Sequence, residues 1–215
     1  MPSIVERRAV SLLLDDPGGE VVLTQAHTAS ELEAVRDFRV ATYRSRSHLE
    51  IEDGVEVDRR GLVFGLWAGT ELTGCARVLP LPDPEAGISA VDHPAARHHG
   101  MECEVGRVAV AAKGSARSFL ALVGLGSHWM LTFTDLRTFV AYCAPRLARL
   151  YEHVGARDLG LEVVHARNQR TYRLVTGRFD VVAARTRALM GIAGPSHPVA
   201  APPWVGTRLP ERLSA

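Results

Sequence analysis

Hydrophobic positions along this chain alternate between a spacing typical of strands and a spacing typical of helices. The segment Glu20 to Ala26 is short and β-branched, which predicts a strand. The next segment repeats apolar residues at helical spacing, and Ser30 with Glu33 three residues later predicts a capping box at its start. Its apolar face carries Leu32, Val35, Phe38, Val40 and Tyr43. We expect this helix to end before a polar loop over residues 47–60.

The remaining pattern predicts a hairpin followed by alternating strands and helices. Two short apolar runs are separated by four residues that include a glycine, which is typical of an antiparallel hairpin. A proline-rich stretch of loop character separates this hairpin from the strands and helices that follow. The predicted strands are Gly61–Trp67, Leu72–Leu79, Met101–Val110, Leu136–Tyr142, Leu159–Val164 and Thr171–Val175, and the predicted helices are Ser115–Phe133, a short one after Pro145, and Val181–Met190.

This order of elements predicts an α/β (α+β) fold in which helices flank a central mixed sheet. We expect a single domain over residues 20–190, preceded by an N-terminal extension over 1–19 and followed by a Pro-rich tail over 191–215.

Composition and charge narrow the classes of function. The chain of 215 residues has 25 basic and 24 acidic side chains, interleaved along the sequence, which argues against a nucleic-acid or anionic-membrane partner. Its three cysteines lack CxxC spacing, so neither a disulfide framework nor a structural zinc site is indicated. Because no apolar run approaches the ~20 residues that span a bilayer, we expect a cytoplasmic protein.

Four short motifs carry the candidate chemistry. Arg39 is followed four residues later by Tyr43, and Asp58 ends a Gly-x-Glu-x-Asp sequence. Arg77 is separated by one residue from a Leu-Pro pair, Leu79 and Pro80. The last motif reads Glu104-x-Gly-Arg107-x-Ala-Val.

With these motifs in this order, the chain resembles the acyl-homoserine-lactone synthases and the related N-acyl amino acid synthases, a branch of the GNAT-type N-acyltransferase fold. The resemblance covers about residues 21–160. It implies a GNAT-like fold in which Glu104 and Arg107 lie where a thioester meets an amine. It also implies an acceptor site formed by Arg39, Tyr43, Asp58 and Arg77.

The same resemblance implies a donor site for the phosphopantetheine thioester of an acyl-CoA or an acyl carrier protein (acyl-ACP). Tyr151 would belong to the late Tyr-containing helix of that fold. No metal is implied. The expected donor-binding residues are Val108, Val110, Lys113, Gly114, Ser115, Ala116 and Arg117.

Three departures from the family pattern favour the broader N-acyltransferase class over a lactone-signal synthase. No tryptophan follows the first predicted helix at the expected place. Gly106 stands where a serine is usual, and Gly61 stands where a second aspartate is expected.

Acyl transfer from a thioester needs a base for the amine and a proton for the departing thiolate. Glu104 could accept the amine proton and Tyr151 could protonate the sulfur, but simpler roles stay open. Glu104 and Arg107 could form a structural ion pair, and Tyr151 could be a core aromatic residue. The segment 113–117 could be a solvated turn. His98 and His99 with Glu102 and Glu104 could suggest a metal, but solvated histidines are the simpler interpretation.

We therefore expect an N-acyltransferase that moves an acyl group from an acyl-CoA or acyl-ACP thioester to a small amine or amino acid acceptor. An acyl-homoserine-lactone autoinducer synthase is one alternative. A catalytically silent module that binds an acyl thioester or a protein partner is another.

Overall fold

The computed structural model describes residues 8–13, 20–47, 55–81, 100–112, 115–164, 169–191 and 197–200. Within these ranges nine strands alternate with helices. The strands are β1 (Arg8–Leu13), β2 (Glu20–Gln25), β3 (Leu62–Ala68), β4 (Glu71–Pro80), β5 (Cys103–Val110), β6 (Thr138–Cys143), β7 (Arg157–Val164), β8 (Thr171–Arg178) and β9 (His197–Ala200). The helices are α1 (Ala29–Ser47), α2 (Val55–Arg60), α3 (Ser115–Phe133), α4 (Ala148–His153) and α5 (Phe179–Leu189), with a 3₁₀ turn at Pro145–Leu147.

The described strands form one mixed sheet in the order β7-β8-β6-β5-β4-β3-β2-β1-β9. Neighbouring strands are antiparallel except for β5 and β6, which are parallel. A parallel pair requires a crossover connection, and α3 supplies it. The predicted α/β fold is therefore confirmed. Strands β1 and β9 lie within the predicted extension and tail, and the division of the chain into those segments stays a prediction.

The start of α1 differs from the sequence prediction. The cap is Thr28, whose Oγ1 accepts a hydrogen bond from the Glu31 amide at 3.2 Å, and the Glu31 carboxylate accepts one from the Thr28 amide at 3.0 Å. The same carboxylate also accepts a bond from the His27 amide. The capping box is thus Thr28 with Glu31, so the prediction of Ser30 with Glu33 was wrong by two residues because both pairs have the same spacing.

The predicted loop over 47–60 contains a helix. Helix α2 occupies Val55–Arg60, and Asp58 in it is buried. Six residues are too few to show a convincing helical period in the sequence, and the helix is stabilised by contacts made with its buried face.

The two faces of the sheet carry different helices. Helices α3 and α5 cover one face, where the largest apolar cluster includes Phe64, Leu125, Trp129 and Phe179. Helix α1 covers the other face and packs against Val63, Cys75 and Ala109. We call these the α3 face and the α1 face. None of the described helices is long and apolar enough to cross a membrane.

Helix α3 provides a test of this packing, because two glycines in it have opposite surroundings. A Cβ at Gly124 would lie 2.6 Å from Thr186 Oγ1, a fully buried atom that is already hydrogen-bonded to the Val182 carbonyl. A Cβ at Gly126 would meet no atom of the described residues within 4 Å.

We expect Gly124→Ala to lower the free energy of unfolding by about 1–3 kcal/mol through overpacking. Gly126→Ala should instead raise it by up to about 1 kcal/mol, since alanine is the better helix former. Denaturant titration of both variants measures the difference, and equal effects would contradict the packing described for α3 and α5.

Candidate active site

Strands β5 and β6 separate after a short parallel pairing. Only three residue pairs join them, from Cys103 with Phe139 to Val105 with Ala141. Beyond Val105, β5 continues to Val110 alongside β4 alone. The two strands therefore enclose a V-shaped opening whose apex lies at Val105 and Gly106.

Glu102 fixes the closed end of this opening. Its carboxylate accepts hydrogen bonds from the backbone amides of Arg137 and Thr138 and from the Thr138 hydroxyl. The two amide donors hold the pKa of Glu102 below its ordinary value. Because Arg137 precedes β6 and Thr138 is its first residue, the carboxylate links the starts of the two parallel strands.

A β-bulge bends β5 at the open end. Arg77 of β4 pairs with Gly106 and Cys75 pairs with Ala109, so β5 has one residue more than β4 in this interval. Arg107 has a φ of 56°, a conformation that is uncommon for a residue other than glycine. The bulge turns Val108 toward the α3 face, where it packs in the large apolar cluster.

Tyr43 contacts the bulged strand from the α1 face. Its hydroxyl donates a hydrogen bond of 2.9 Å to the Val108 carbonyl oxygen. This carbonyl lies beyond the last β5–β6 pair. The Tyr43 hydroxyl therefore supplies a hydrogen bond to a backbone carbonyl in the separated part of β5.

Glu104 lies on the α1 face next to the apex, and its side chain is buried. The Tyr142 hydroxyl on β6 donates a hydrogen bond of 3.1 Å to Glu104 Oε1. Burial and the negative charge of Glu104 raise the pKa of Tyr142 well above its ordinary value, so the phenol stays protonated and remains a donor. The positive charges of Arg107 and Arg77 act on Tyr142 in the opposite direction, which places both guanidinium groups near this pair.

Arg77 also belongs to a buried group of three charges. Asp58 Oδ2 lies 2.7 Å from Arg39 Nη2, and Asp58 Oδ1 lies 3.2 Å from Arg77 Nη1. The exposed fraction of each side chain is 3% or less. The group links α1, α2 and β4, and its Arg77 end is near Glu104.

An apolar cavity lies on the α3 face of the opening. Its volume is about 590 Å³, counted out to its mouth in solvent. Strand residues at the V, namely Val105, Val108 and Phe139, form one wall, and α3 contributes Gly126 and Ser127. The cavity therefore begins where the two strands separate.

Tyr151 of α4 lines the same cavity and packs edge-on against Phe119, with ring centroids 5.7 Å apart. Burial raises the pKa of Tyr151 well above its ordinary value, so its hydroxyl carries a proton at neutral pH.

The predicted donor-binding residues lie at or beyond the open end of the V. Val108 and Val110 are on the separated part of β5, and α3 begins at Ser115. Ala116 and Arg117 are exposed in the first turn of that helix, while Lys113 and Gly114 fall outside the described residues. Since β5 and β6 are parallel, the amino end of α3 is at the edge where the strands have separated.

Both glycines that depart from the family pattern have a structural context. A Cβ at Gly61 would lie 2.7 Å from Leu79 Cδ2 and 2.8 Å from the Val78 carbonyl oxygen, so no larger side chain fits. Gly106 has room, and the only described atom near its missing Cβ is Glu104 Oε1.

The structure thus brings most predicted site residues together around one opening, with Glu104, Arg107, Arg39, Asp58, Arg77 and Tyr43 on or near its α1 face and Tyr151 on its α3 face. Sequence reasoning missed Tyr142 and Glu102. A polar-tipped aromatic in the apolar strand TFVAYC was a signal for Tyr142, but its register with Glu104 depends on the sheet.

The structure also bears on the candidate metal ligands and on the three cysteines. Glu102 accepts three hydrogen bonds from residues 137 and 138, while His98 and His99 lie outside the described residues. Within the described part of the chain no metal-binding group of three or more ligands is present. All three cysteines are buried, and burial together with the negative charge of Asp158 raises the pKa of Cys143 to about 11.

No protein-family model and no curated protein sequence matches this chain. Solved structures do match it. FeeM, an N-acyl amino acid synthase from uncultured soil microbes, superposes with a TM-score of 0.63 at 18% identity, covering 79% of this chain and 96% of FeeM. BjaI, a CoA-dependent acyl-homoserine-lactone synthase, has a TM-score of 0.57 at 12% identity, covering 87% of this chain and 91% of BjaI.

RimJ from Mycobacterium smegmatis, solved with CoA-disulfide, matches with a TM-score of 0.56 at 15% identity and covers 85% of this chain and 94% of its own. The chain therefore has the GNAT-like fold that its motifs predicted. At sequence identities of 12–18% the similarity shows the fold alone. The chemistry therefore has to be argued from the residues of the site.

The buried charges give a stability prediction. Asp58→Ala leaves two buried guanidinium groups without their shared carboxylate, and we expect the free energy of unfolding to fall by about 3–5 kcal/mol. Asp180→Ala is the matched control, because Asp180 and Arg178 form an ion pair whose side chains are 50% and 64% exposed. Its effect should be much smaller. Thermal or denaturant unfolding compares the two, and similar losses would show that the buried group is not a structural link.

Proposed function

We propose that this protein is an N-acyltransferase that moves an acyl group from a CoA or acyl carrier protein thioester to the amine of a small, amino-acid-like acceptor. One observation carries the proposal. The V between β5 and β6 has a buried carboxylate, Glu104, on one face and an apolar cavity on the other. A thioester bound in the opening would place its carbonyl carbon near Glu104, which could act as the base. Its acyl chain would extend into the apolar cavity.

The donor would enter from the open end. Amides and carbonyls of the separated strand, including Val108 and Val110, would bind the pantetheine arm as an added strand. The phosphate end would lie near residues 113–117, where the first amides of α3 and the helix dipole favour an anion. The acyl chain would fill the apolar cavity, whose mouth adjoins the same strand.

The acceptor would bind on the α1 face. Arg39, Asp58, Arg77 and Tyr43 are all anchored there, and we propose that they shape and charge the acceptor pocket. An arginine fork suits a carboxylate group of the acceptor. Arg107, three residues after Glu104, would add positive charge at the apex, where its charge also acts on Tyr142.

The chemical step needs two proton transfers. The amine nitrogen attacks the thioester carbonyl carbon, and the proton it loses passes to the Glu104 carboxylate. The carbon–sulfur bond then breaks, and Tyr151, which keeps its proton at neutral pH, donates that proton to the leaving sulfur. Backbone amides of separated β5 would stabilise the carbonyl oxygen while it carries negative charge. The proton held by Glu104 then returns to the Tyr151 phenolate through solvent, so the amide product, the free thiol and the two restored side chains account for every atom and charge.

Two other functions remain as test outcomes. An acyl-homoserine-lactone synthase would also close a lactone, which breaks a bond to a leaving group on the acceptor side chain, so the panel includes a sulfonium amino acid as well as the common ones. A silent binding module would bind acyl thioesters without releasing thiol. Thiol release from decanoyl-CoA and decanoyl-ACP, with and without a panel of amino acids, separates both from the proposed transfer when the products are identified by mass spectrometry.

Glu104→Gln should lower kcat by about 10²- to 10⁴-fold, because the amide keeps the shape of the carboxylate but cannot accept the amine proton. Glu162→Gln is the control and should keep nearly wild-type kcat, since the Glu162 side chain on β7 is 55% exposed and pairs with Arg173, away from the opening. Steady-state thiol release measures both variants. Wild-type kcat in a folded Glu104→Gln protein would remove Glu104 from the mechanism.

Tyr151→Phe should lower kcat on an alkyl thioester such as decanoyl-CoA by about 10²-fold, because the thiolate then leaves without a proton. The loss should shrink with an aryl thioester, whose thiolate leaves easily. Tyr172→Phe, which alters a ring packed on Tyr142, should affect both donors alike and weakly. An equal loss on alkyl and aryl donors in Tyr151→Phe would assign this residue a packing role.

A further inference from the structure

Tyr142 is the first residue of β6 beyond the pairs that join this strand to β5. Glu104 pairs with Val140, and side chains alternate between the faces of a strand, so Tyr142 and Glu104 project to the same face. The hydrogen bond of 3.1 Å from the Tyr142 hydroxyl to Glu104 Oε1 therefore passes from β6 to β5 next to the last backbone pair. It joins one side chain from each of the two separating strands.

Contacts on the side away from β5 fix the Tyr142 ring. Its backbone pairs with Leu174 of β8, and its side chain packs in the small apolar cluster around Val140 and Leu174. The ring also packs edge-on against Tyr172 of β8, with centroids 5.7 Å apart. The place of the hydroxyl is therefore set by β6 and β8 and does not depend on β5.

Glu104 is the group on which this hydroxyl acts. The residue is only 1% exposed, and burial disfavours the charged form of a carboxyl group. A general base has to be ionised before it can accept a proton. A buried glutamate that serves as a base therefore needs groups that stabilise its negative charge.

Charged and titratable groups surround Glu104 on several elements. The two nearby arginines favour its ionised form through their charge, whereas the tyrosine favours it through a direct hydrogen bond. Among the described residues these groups are Tyr142 of β6, Arg77 of β4, Arg107 and Cys103 of β5, Glu102 just before β5, and, through Arg77, Asp58 of α2 and Arg39 of α1.

We infer that Tyr142 is a positioning residue that keeps Glu104 ionised by donating a hydrogen bond to Oε1 from the opposite strand. The inference rests on the proposed N-acyl transfer, in which Glu104 accepts the amine proton. A hydrogen bond donated to a carboxylate stabilises its charged form, and Tyr142 itself keeps its proton throughout the step. Without this hydroxyl, more of the protein would hold Glu104 protonated and unable to accept the amine proton.

The first test measures the protonation of Glu104 directly and needs no turnover. Protein labelled at the side-chain carboxyl carbon of glutamate is titrated by NMR, and the Glu104 signal is the one missing from Glu104→Gln protein. Tyr142→Phe should raise the pH at which Glu104 is half protonated by about 1–2 pH units, through loss of one hydrogen bond to a charged group. An unchanged midpoint in folded Tyr142→Phe protein would overturn the inference.

Tyr172→Phe is the matched control for this titration. It also removes one tyrosine hydroxyl, but from the ring that packs against Tyr142 and not from the one bonded to Glu104. The Glu104 midpoint should stay at its wild-type value. A rise equal to that in Tyr142→Phe would assign the effect to general packing and count against the inference.

A second substitution at the same position has the opposite expected sign. Tyr142→fluorotyrosine keeps the hydroxyl, but the fluorine makes the phenol more acidic and hence a better donor. The Glu104 midpoint should then fall below its wild-type value, and only a fall supports the inference. This variant decides alone if Tyr142→Phe does not fold.

Kinetics connect the hydrogen bond to the reaction. In Tyr142→Phe the acidic limb of kcat/KM against pH should move upward with the NMR midpoint, so that kcat/KM falls by about 10- to 10²-fold on the acidic side and recovers above the new midpoint. The acceptor amine titrates alike with both proteins, so the difference belongs to the protein. In a Glu104→Gln background Tyr142→Phe should cause no further loss, because its effect acts through Glu104.

The inference and the proposed function fail in different ways. Acceptor-dependent thiol release by the wild-type protein, together with an unchanged Glu104 midpoint in Tyr142→Phe, would overturn the inference and leave the proposed function standing. Absence of acceptor-dependent release with either decanoyl-CoA or decanoyl-ACP would overturn both.

Discussion

The parallel pairing of β5 with β6 ends after three residue pairs, and the site exists because of that ending. A strand that leaves its neighbour in the middle of a sheet exposes backbone groups that need other partners. In this protein the bulge at Arg107 bends β5, and Tyr43 donates to the Val108 carbonyl in the separated part. Glu102 holds the strands together at the other end. Specific contacts therefore fix the opening: the Glu102 carboxylate joins the strands at its closed end, and the Tyr43 hydroxyl binds the separated part of β5.

The same opening joins two environments that the sheet otherwise separates. On the α1 face the buried side chains are charged or polar, with Asp58 held between two arginines and Glu104 bound by Tyr142. On the α3 face the cavity wall is almost entirely apolar. A substrate with a polar reacting end and an apolar tail can satisfy both faces only if it passes between the strands. This asymmetry, more than any single residue, supports the proposed acyl-thioester donor.

Much of the fold followed from local patterns, and the elements that did not were those fixed by tertiary contacts. The hairpin, the long helix α3 and the strands around it were predicted within a few residues, because their periodicity is strong and their turns contain glycine. Helix α2 was missed because six residues carry little periodic signal and its stability comes from Asp58 contacting Arg39 and Arg77. Tyr142 was missed because only the register of β6 against β5 brings its hydroxyl to Glu104. Sequence spacing identified the charged residues, but it could not indicate that Asp58 is shared by two guanidinium groups.

The two glycines at unusual positions show why an absent side chain has to be interpreted in its surroundings. At Gly61 the space is taken by Leu79 and the Val78 carbonyl, so packing alone explains why no carboxylate stands there. At Gly106 the space is next to a buried carboxylate and has no other described neighbour within contact distance. Packing does not require glycine at that position, since a methyl group would press on one oxygen only. Packing therefore excludes a side chain at Gly61 but not at Gly106, although both glycines stand where the resemblance leads one to expect a larger residue.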